Sequence, residues 1–494
     1  MRKFYIKSVR RILCILIAVM LLTGQAVYGA SNSGAYLDSI MELIKDEYYD
    51  DVKDQELTES AVRGMFNSLD DYTTYYNKEE KDRFMDSVTG VFGGIGVTMT
   101  LSGDYIVVTD ISSPSPAEKA GILQGDRIVE ADGTDLVKAT LDEASAVIRG
   151  EPGTTVRLGI LRDGSNEKIY VDVTREIIKV NPVQYENRNG IGYIKLSMFN
   201  DNADEYVSDA LKYFDKYNIS KIVLDLRDNP GGEVSQAVEI AKKFVPEGLI
   251  TKLDYKSSKY EDVEYYSTLK KNKYKLAVLV NGMSASASEI VAGAIQDRDA
   301  GKLVGTKTFG KARFQAVLPL LSEEAYMKYN KMYQLGSANV MDFYYFGIYP
   351  DEDEIGGYVK MTLGVYYTPK GRMIDGTGLE PDIAVSDPDP VEGVYITDIT
   401  RLSKTTEFKL NGQGSDVFNA KKILKLMGYN ISTLDTSFDK EFESALKIYQ
   451  TKHNLKSTGV LDIKTQVFLN ADLLQLVLKY DGQYAAAVRY LYSN

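Results

Sequence analysis

No tryptophan occurs among the 494 residues, and cysteine and histidine occur once each, at Cys14 and His453. One cysteine excludes an internal disulfide, and with a single histidine the usual Cys/His zinc site cannot be assembled. A serine–histidine–carboxylate triad is possible only if His453 serves it. Positive charge is also short, with 58 Lys and Arg against 70 Asp and Glu, a net charge of −12. That balance excludes nucleic acid as a partner, because phosphate contacts need a basic face. No metal or cofactor is expected. The length suggests about three folded units.

Long apolar runs are scarce too. Ile12–Leu22 follows Arg2, Lys3, Lys7, Arg10 and Arg11 and precedes the small residues Val27 and Gly29, so residues 1–29 read as an export signal. Left uncleaved, the same stretch would be a membrane anchor. Either way the working part is expected outside the cytoplasm, secreted or associated with the cell wall or membrane. Residues 35–88 carry helical periodicity, as in Tyr36, Ile40, Leu43 and Ile44, and form a helical N-terminal arm. Residues 89–178 turn to β-type runs between Gly/Asp turns. From residue 179 to 386, strand-like and helical runs alternate, which predicts an α/β core. Residues 387–411, with Asp387-Pro388-Asp389-Pro390, read as a linker. Helical periodicity returns over 412–475, followed by a tail at 476–494. The fold class is therefore α/β, or α+β multidomain.

Three segments carry chemistry. Leu276–Val280 leads through Asn281-Gly282-Met283-Ser284-Ala285-Ser286-Ala287-Ser288-Glu289 into a helix start, where N–H groups and the dipole suit a developing oxyanion. Ser286 with Glu289 also reads as a plain capping box. Thr308-Phe309-Gly310-Lys311-Ala312-Arg313-Phe314-Gln315 supplies a base, provided burial disfavours the lysine ammonium. Gln315, four residues on, shares a face with Lys311 and can orient its amine. Asp225-Leu226-Arg227-Asp228-Asn229-Pro230-Gly231-Gly232 ends a strand in a turn whose N–H groups are accessible.

Together these segments resemble the carboxyl-terminal processing peptidases, also called tail-specific proteases, in order, spacing and most residues. The resemblance implies Ser286 as nucleophile, a choice that sequence chemistry leaves open among Ser284, Ser286 and Ser288. It implies Lys311 as general base and Gln315 as the completing residue. The oxyanion hole then falls to Gly231 or Gly232 and to Ala287. The core is expected to be crotonase-like. Ala312 departs from the commoner FGKG pattern. The Tyr-rich residues 320–358 form a longer excursion than the family's, either a channel lining or a surface loop.

Gly93-Gly94-Ile95-Gly96-Val97, followed by the AGILQGDRIVEADG pattern, resembles a PDZ domain of β-sandwich type. Such a domain captures a chain terminus, and Gly94, Ile95, Gly96 and Val97 are the expected peptide-binding residues. Arg149 is a candidate gating contact, set against the plain reading of an exposed turn arginine. The segment from Val417 to Thr465 resembles a small helical peptidoglycan-binding domain, and His453 belongs to it. The expected activity is that of a serine endopeptidase acting on the C-terminal tails of protein substrates. Peptidoglycan and a second copy of the chain are further candidate partners. A catalytically dead PDZ scaffold at the wall and a crotonase-like acyl-CoA enzyme are the alternatives; intact Ser286, Lys311 and Gln315 oppose the first, and the export signal the second.

Overall fold

The computed structural model describes residues 33–162 and 167–493, so the export-signal reading of 1–29 lies outside the described residues. Among the described residues, no helix is long and apolar enough to cross a membrane. The chain divides into two units, one built from residues up to Tyr76 with Pro319–Met361, the other from Asn77–Leu318 with Thr362–Asn494.

The larger unit holds the predicted α/β core. Its sheet runs in the order β1 (Val183–Arg188), β2 (Ile191–Leu196), β3 (Lys221–Asp225), β4 (Lys275–Val280), β5 (Lys302–Gly305) and β6 (Ile383–Ala384). Only the β1–β2 pair is antiparallel. Alternate residues of the central strands serve two cores, as expected for parallel strands covered on both faces. Ile222, Leu224, Leu276, Val278 and Val280 pack with helices α1 (Ala203–Lys216), α2 (Val234–Ala241) and α3 (Ala287–Asp297). Val223, Ala277, Leu279 and Val304 face the other way, into a core shared with the C-terminal helices.

Those helices are α4 (Ser415–Leu426), α5 (Lys440–Lys452), α6 (Ile463–Tyr480) and α7 (Gly482–Tyr492). Residues 476–494, expected as a tail, include α7, which packs against β3, β4 and β5. Residues 387–411, expected as a linker, are anchored by the buried side chains of Val394, Ile396, Leu402 and Phe408. The apolar residues spaced through this stretch outweigh its Asp-Pro turns.

The β-rich segment is a six-stranded sheet, Val97–Ser102, Tyr105–Ile111, Arg127–Ala131, Thr155–Leu161 and Ile169–Thr174 with the short Thr134–Asp135 paired to Arg127–Ala131, around its own core of Ile106, Val108, Ile128, Val156, Leu158 and Ile160. Helix Leu141–Ile148 starts at Thr140 with a full capping box to Glu143.

In the smaller unit, helices Ser33–Glu47 and Asp54–Asn67 bury no residue; Tyr36 and Leu43 in the first, and Tyr49 and Leu69 just beyond the two helix ends, are exposed. Strand Thr74–Tyr76 pairs with Tyr358–Lys360. The Tyr-rich excursion forms helices Glu323–Tyr333 and Val340–Tyr345 over a small core of Leu321, Ala325, Tyr329, Val340 and Phe343. Tyr333, Tyr344, Tyr345, Phe346 and Tyr349 stay exposed.

Candidate active site

Parallel strands end at the same edge of a sheet, and the crevice outside those carboxyl ends is where α/β folds place their ligands. Here β3 delivers the turn 226–232, β4 the serine loop and β5 the lysine loop. The register fixes the arrangement, with Asp225 opposite Leu279 and Leu279 opposite Val304.

The first two segments are sewn together by side chains. The Asn281 amide donates to Asp228 at 2.8 Å, and Asp228 N–H donates to the Asn281 carbonyl oxygen at 3.0 Å. Asn229, wholly buried, donates to the Leu196 carbonyl at 2.8 Å and accepts from Gly231 N–H at 2.9 Å. Its main-chain oxygen accepts from Ala285 N–H at 3.0 Å and from the Ser288 hydroxyl at 2.9 Å.

These bonds separate three serines that look alike in sequence. Ser284 and Ser288 are fully buried, and each hydroxyl donates to a main-chain carbonyl, at Leu226 (2.7 Å) and Asn229. Ser286 is half-buried, and its hydroxyl donates to no group among the described residues. It sits at φ +55°, ψ −113°, immediately before α3. A serine at positive φ carries about 1–3 kcal/mol of backbone strain, which only surrounding structure can hold in place. Gly231 supplies the space: a Cβ there would lie 2.9 Å from the Ser286 Cβ and 3.0 Å from the Ala287 nitrogen. The two glycines of the turn differ. Gly231 is buried and its N–H is committed to Asn229, whereas Gly232 is exposed and its N–H, like that of Ala287, donates to nothing among the described residues.

Glu289 joins the serine loop to the lysine loop. Its carboxylate, wholly buried, accepts from Ser286 N–H (2.9 Å), the Thr308 hydroxyl (2.6 Å), Gly310 N–H (2.7 Å) and Lys311 N–H (2.9 Å). Burial pushes this carboxyl above its ordinary value, and the four hydrogen bonds offset that only in part. Gly310 needs its φ of +88°, since a Cβ would meet the Gly378 nitrogen at 2.6 Å. Tyr366 adds a second tie: its buried hydroxyl lies 3.0 Å from the Ser286 carbonyl oxygen and 2.6 Å from that of Lys311. Burial first, then the charge of Glu289, pushes this phenol well above its usual range, so it stays a donor. Ala312, the departure from the glycine pattern, is buried and donates its N–H to Asp375 at 3.1 Å. Gln315 uses its amide nitrogen on the carbonyl of Arg313 (3.3 Å) and the hydroxyl of Thr362 (3.1 Å).

Sequence reasoning named Glu289 only as a cap and missed Thr308, Tyr366 and Asn229. Glu289 was visible as the acid three residues past the serine, but its reach to the lysine loop is tertiary. Tyr366 is one of 36 tyrosines and carries no local signal.

Of the remaining expected positions, Gly94 ends strand Val91–Gly94, and Ile95 and Gly96 form the connection into the strand beginning at Val97. The Ile95 carbonyl accepts from Ala117 N–H at 2.9 Å, and Gly96 (φ +80°) lies too close to Ser115 for a Cβ. Arg149 is 43 % exposed, stacks over Phe92 at 3.8 Å and lies 3.9 Å from Asp86. His453 stacks on Tyr449 at 4.2 Å and lies 3.4 Å from Asp472, within the C-terminal helices. No cluster of three or more His, Cys, Asp or Glu able to hold a metal occurs among the described residues.

Comparison with known proteins gives four matches along the chain. Residues 190–385 match the peptidase family S41, 93–173 a PDZ domain, 413–469 a peptidoglycan binding domain, and 25–80 the N-terminal domain of the activating protease CtpB. The carboxy-terminal processing protease CtpA of Bacillus subtilis (strain 168) is 31% identical, with 92% of this chain and 89% of that protein covered. A CtpA-like serine protease of Staphylococcus epidermidis is 32% identical over 90% of this chain and 83% of that one. The solved photosystem II D1 C-terminal processing protease is 26% identical, with 70% of this chain and 86% of that one covered and a TM-score of 0.38.

Proposed function

Because the chain belongs to the carboxyl-terminal processing serine proteases of peptidase family S41, we propose that it is an exported endopeptidase whose nucleophile is Ser286 and whose general base is Lys311. The observation that carries the assignment is the contrast among the serines. Two of the three hydroxyls are committed to main-chain carbonyls, and the third is held at a strained φ at a helix N-terminus, half open to the surface.

In this reading Lys311 takes the Ser286 hydroxyl proton as the oxygen attacks the scissile carbonyl. The same proton then passes to the departing amine, and water resolves the acyl-enzyme by the reverse sequence. The uncommitted N–H groups of Gly232 and Ala287 are the donors to the oxyanion, with Gly231 as the spacer that lets the turn approach. Gln315, its amide nitrogen already engaged, offers its carbonyl oxygen to the lysine ammonium. The loop of Gly94, Ile95, Gly96 and Val97 holds the carboxyl terminus of a protein substrate, which adds as a strand beside the one that follows. The C-terminal helices suit attachment to peptidoglycan, consistent with work at the cell wall.

The test is to incubate mature protein with unstructured substrates ending in apolar residues and to follow fragments by mass spectrometry. Wild type is expected to cut; Ser286→Ala and Lys311→Ala are expected to fall by about 10³-fold or more. Equal cleavage by all three proteins would sink the assignment.

A further inference from the structure

The proposed mechanism makes no use of Arg227, which lies in the turn sequence itself and is almost completely buried. A guanidinium has five N–H donors, and here each has an acceptor. Nε and Nη2 donate to the two oxygens of Asp225, at 2.9 and 2.6 Å. Nη1 donates to Asp481 Oδ1 at 3.1 Å and to Gln483 Oε1 at 3.0 Å, and Nη2 to Asp481 Oδ2 at 3.0 Å. Asp481 is the junction between α6 and α7, where it also caps α7 by accepting from Tyr484 N–H at 2.9 Å. Gln483 donates in turn to the Val385 carbonyl at 3.1 Å and to Asp387 at 2.8 Å.

Stability is a poor explanation for this arrangement. Two buried carboxylates share one buried arginine, with the half-buried Lys195 acting on Asp225 from the neighbouring strand, and apolar packing often replaces such clusters at no loss. What saturated, forked hydrogen bonding supplies is position. Arg227 lies between Leu226, whose carbonyl takes the Ser284 hydroxyl, and Asn229, whose side chain holds Gly231. Fixing the guanidinium fixes the start of the turn that presents Gly232.

We propose that Asp481 and Gln483 are positioning residues for the peptidase reaction, acting through Arg227 on the turn 228–232. The C-terminal helix pair is then a working part of the active site. The proposal rests on the reading of that turn as an oxyanion donor. Displacing such a donor by about 1 Å costs on the order of 10²-fold in rate.

The full mature chain serves for the test, with Asp481→Asn, Gln483→Leu and a control, Lys421→Met. Lys421 is wholly buried in the same helical domain but pairs with Asp435 (2.9 Å) and Asp439 (2.6 Å), away from Arg227. Two readouts are taken below the melting transition: kcat and KM on an unstructured substrate, and amide hydrogen exchange of the peptide spanning 226–233. The expected result for Asp481→Asn and Gln483→Leu is a fall in kcat of about 10- to 100-fold, KM within twofold, and faster exchange in that peptide. Lys421→Met is expected to lower the melting temperature and leave both readouts in place. Unchanged exchange in the two clamp variants overturns the proposal whatever the activity does. Equal loss of kcat in Lys421→Met overturns it as a general stability effect. Faster exchange with kcat intact overturns it through the underlying reading, because the turn would not then be an oxyanion donor.

Discussion

Two wholly buried carboxylates stand next to the serine and lysine loops and are satisfied in opposite ways. Glu289 collects three main-chain N–H groups and one hydroxyl, all neutral donors drawn from the serine and lysine loops. Asp225 collects a guanidinium, the Tyr193 hydroxyl at 2.7 Å and the Arg227 N–H. The first arrangement locks main chain to main chain, so its precision goes directly into the spacing of Ser286 and Lys311. The second uses charge to tie the end of a strand to a distant part of the sequence at Asp481. A dipole-satisfied hub therefore holds two loops in register, which under the proposed mechanism sets the reaction geometry, and a charge-satisfied hub holds distant segments together.

Removing the dipole hub is the most severe way to probe this difference. Glu289→Ala strands four donors in a buried site, each worth about 1–3 kcal/mol when unsatisfied. It is expected to lower the melting temperature sharply and to cut kcat by about 10²- to 10³-fold in the protein that remains folded. Glu289→Gln keeps the shape but turns one acceptor into a donor facing N–H groups, and is expected to lose nearly as much activity. A Glu289→Gln variant with normal kcat would show that the lysine loop holds its place without the carboxylate. A milder probe is Tyr366→Phe, which deletes one hydroxyl between the carbonyls of Ser286 and Lys311. About a tenfold drop in kcat, with KM unchanged, is expected from steady-state kinetics. A change confined to KM would move Tyr366 from positioning to substrate binding.

How much of this was legible in advance depended on the range of the interactions. Strand β4 was readable because Leu276–Val280 is an unbroken apolar run, and the loop after it because small residues surround Ser286. The three motifs could be placed together by resemblance, yet nothing local distinguishes Ser286 from Ser284 or Ser288. That distinction is made by the carbonyls of Leu226 and Asn229, about sixty residues away in sequence. The same limit hid Glu289, whose capping signature is local while its contacts to Thr308, Gly310 and Lys311 are not. The buried side chains within 387–411 and helix α7 within 476–494 stayed hidden in the sequence for a related reason. Their apolar residues are too widely spaced to show periodicity, and only the second face of the sheet, which they cover, explains them. The Tyr-rich excursion at 320–358 was visible as a departure, whereas its two helices over a five-residue core were not.

The smallest expected effect separates the two hubs by the sign of their response to pH. For Asp225, burial works against ionisation, but the charge and hydrogen bonds of Arg227 outweigh it and hold the carboxyl below its usual value. The folded state thus gives up this proton more readily than the unfolded chain, whose aspartates titrate near 4. Its stabilisation is present above that value and is lost as pH falls through the folded-state pKa. For Glu289, burial wins and the folded-state value is raised. The folded protein holds this proton longer than the unfolded chain, so its contribution is fullest below the ordinary glutamate value and declines as pH rises through the folded one. Urea denaturation from pH 3 to 7 on wild type, Asp225→Asn and Glu289→Gln should show the opposition. The stability gap between wild type and Asp225→Asn should widen with rising pH, while the gap to Glu289→Gln should narrow. Gaps that move in the same direction would mean that the two carboxylates share one electrostatic environment, and the distinction between a dipole hub and a charge hub would fall.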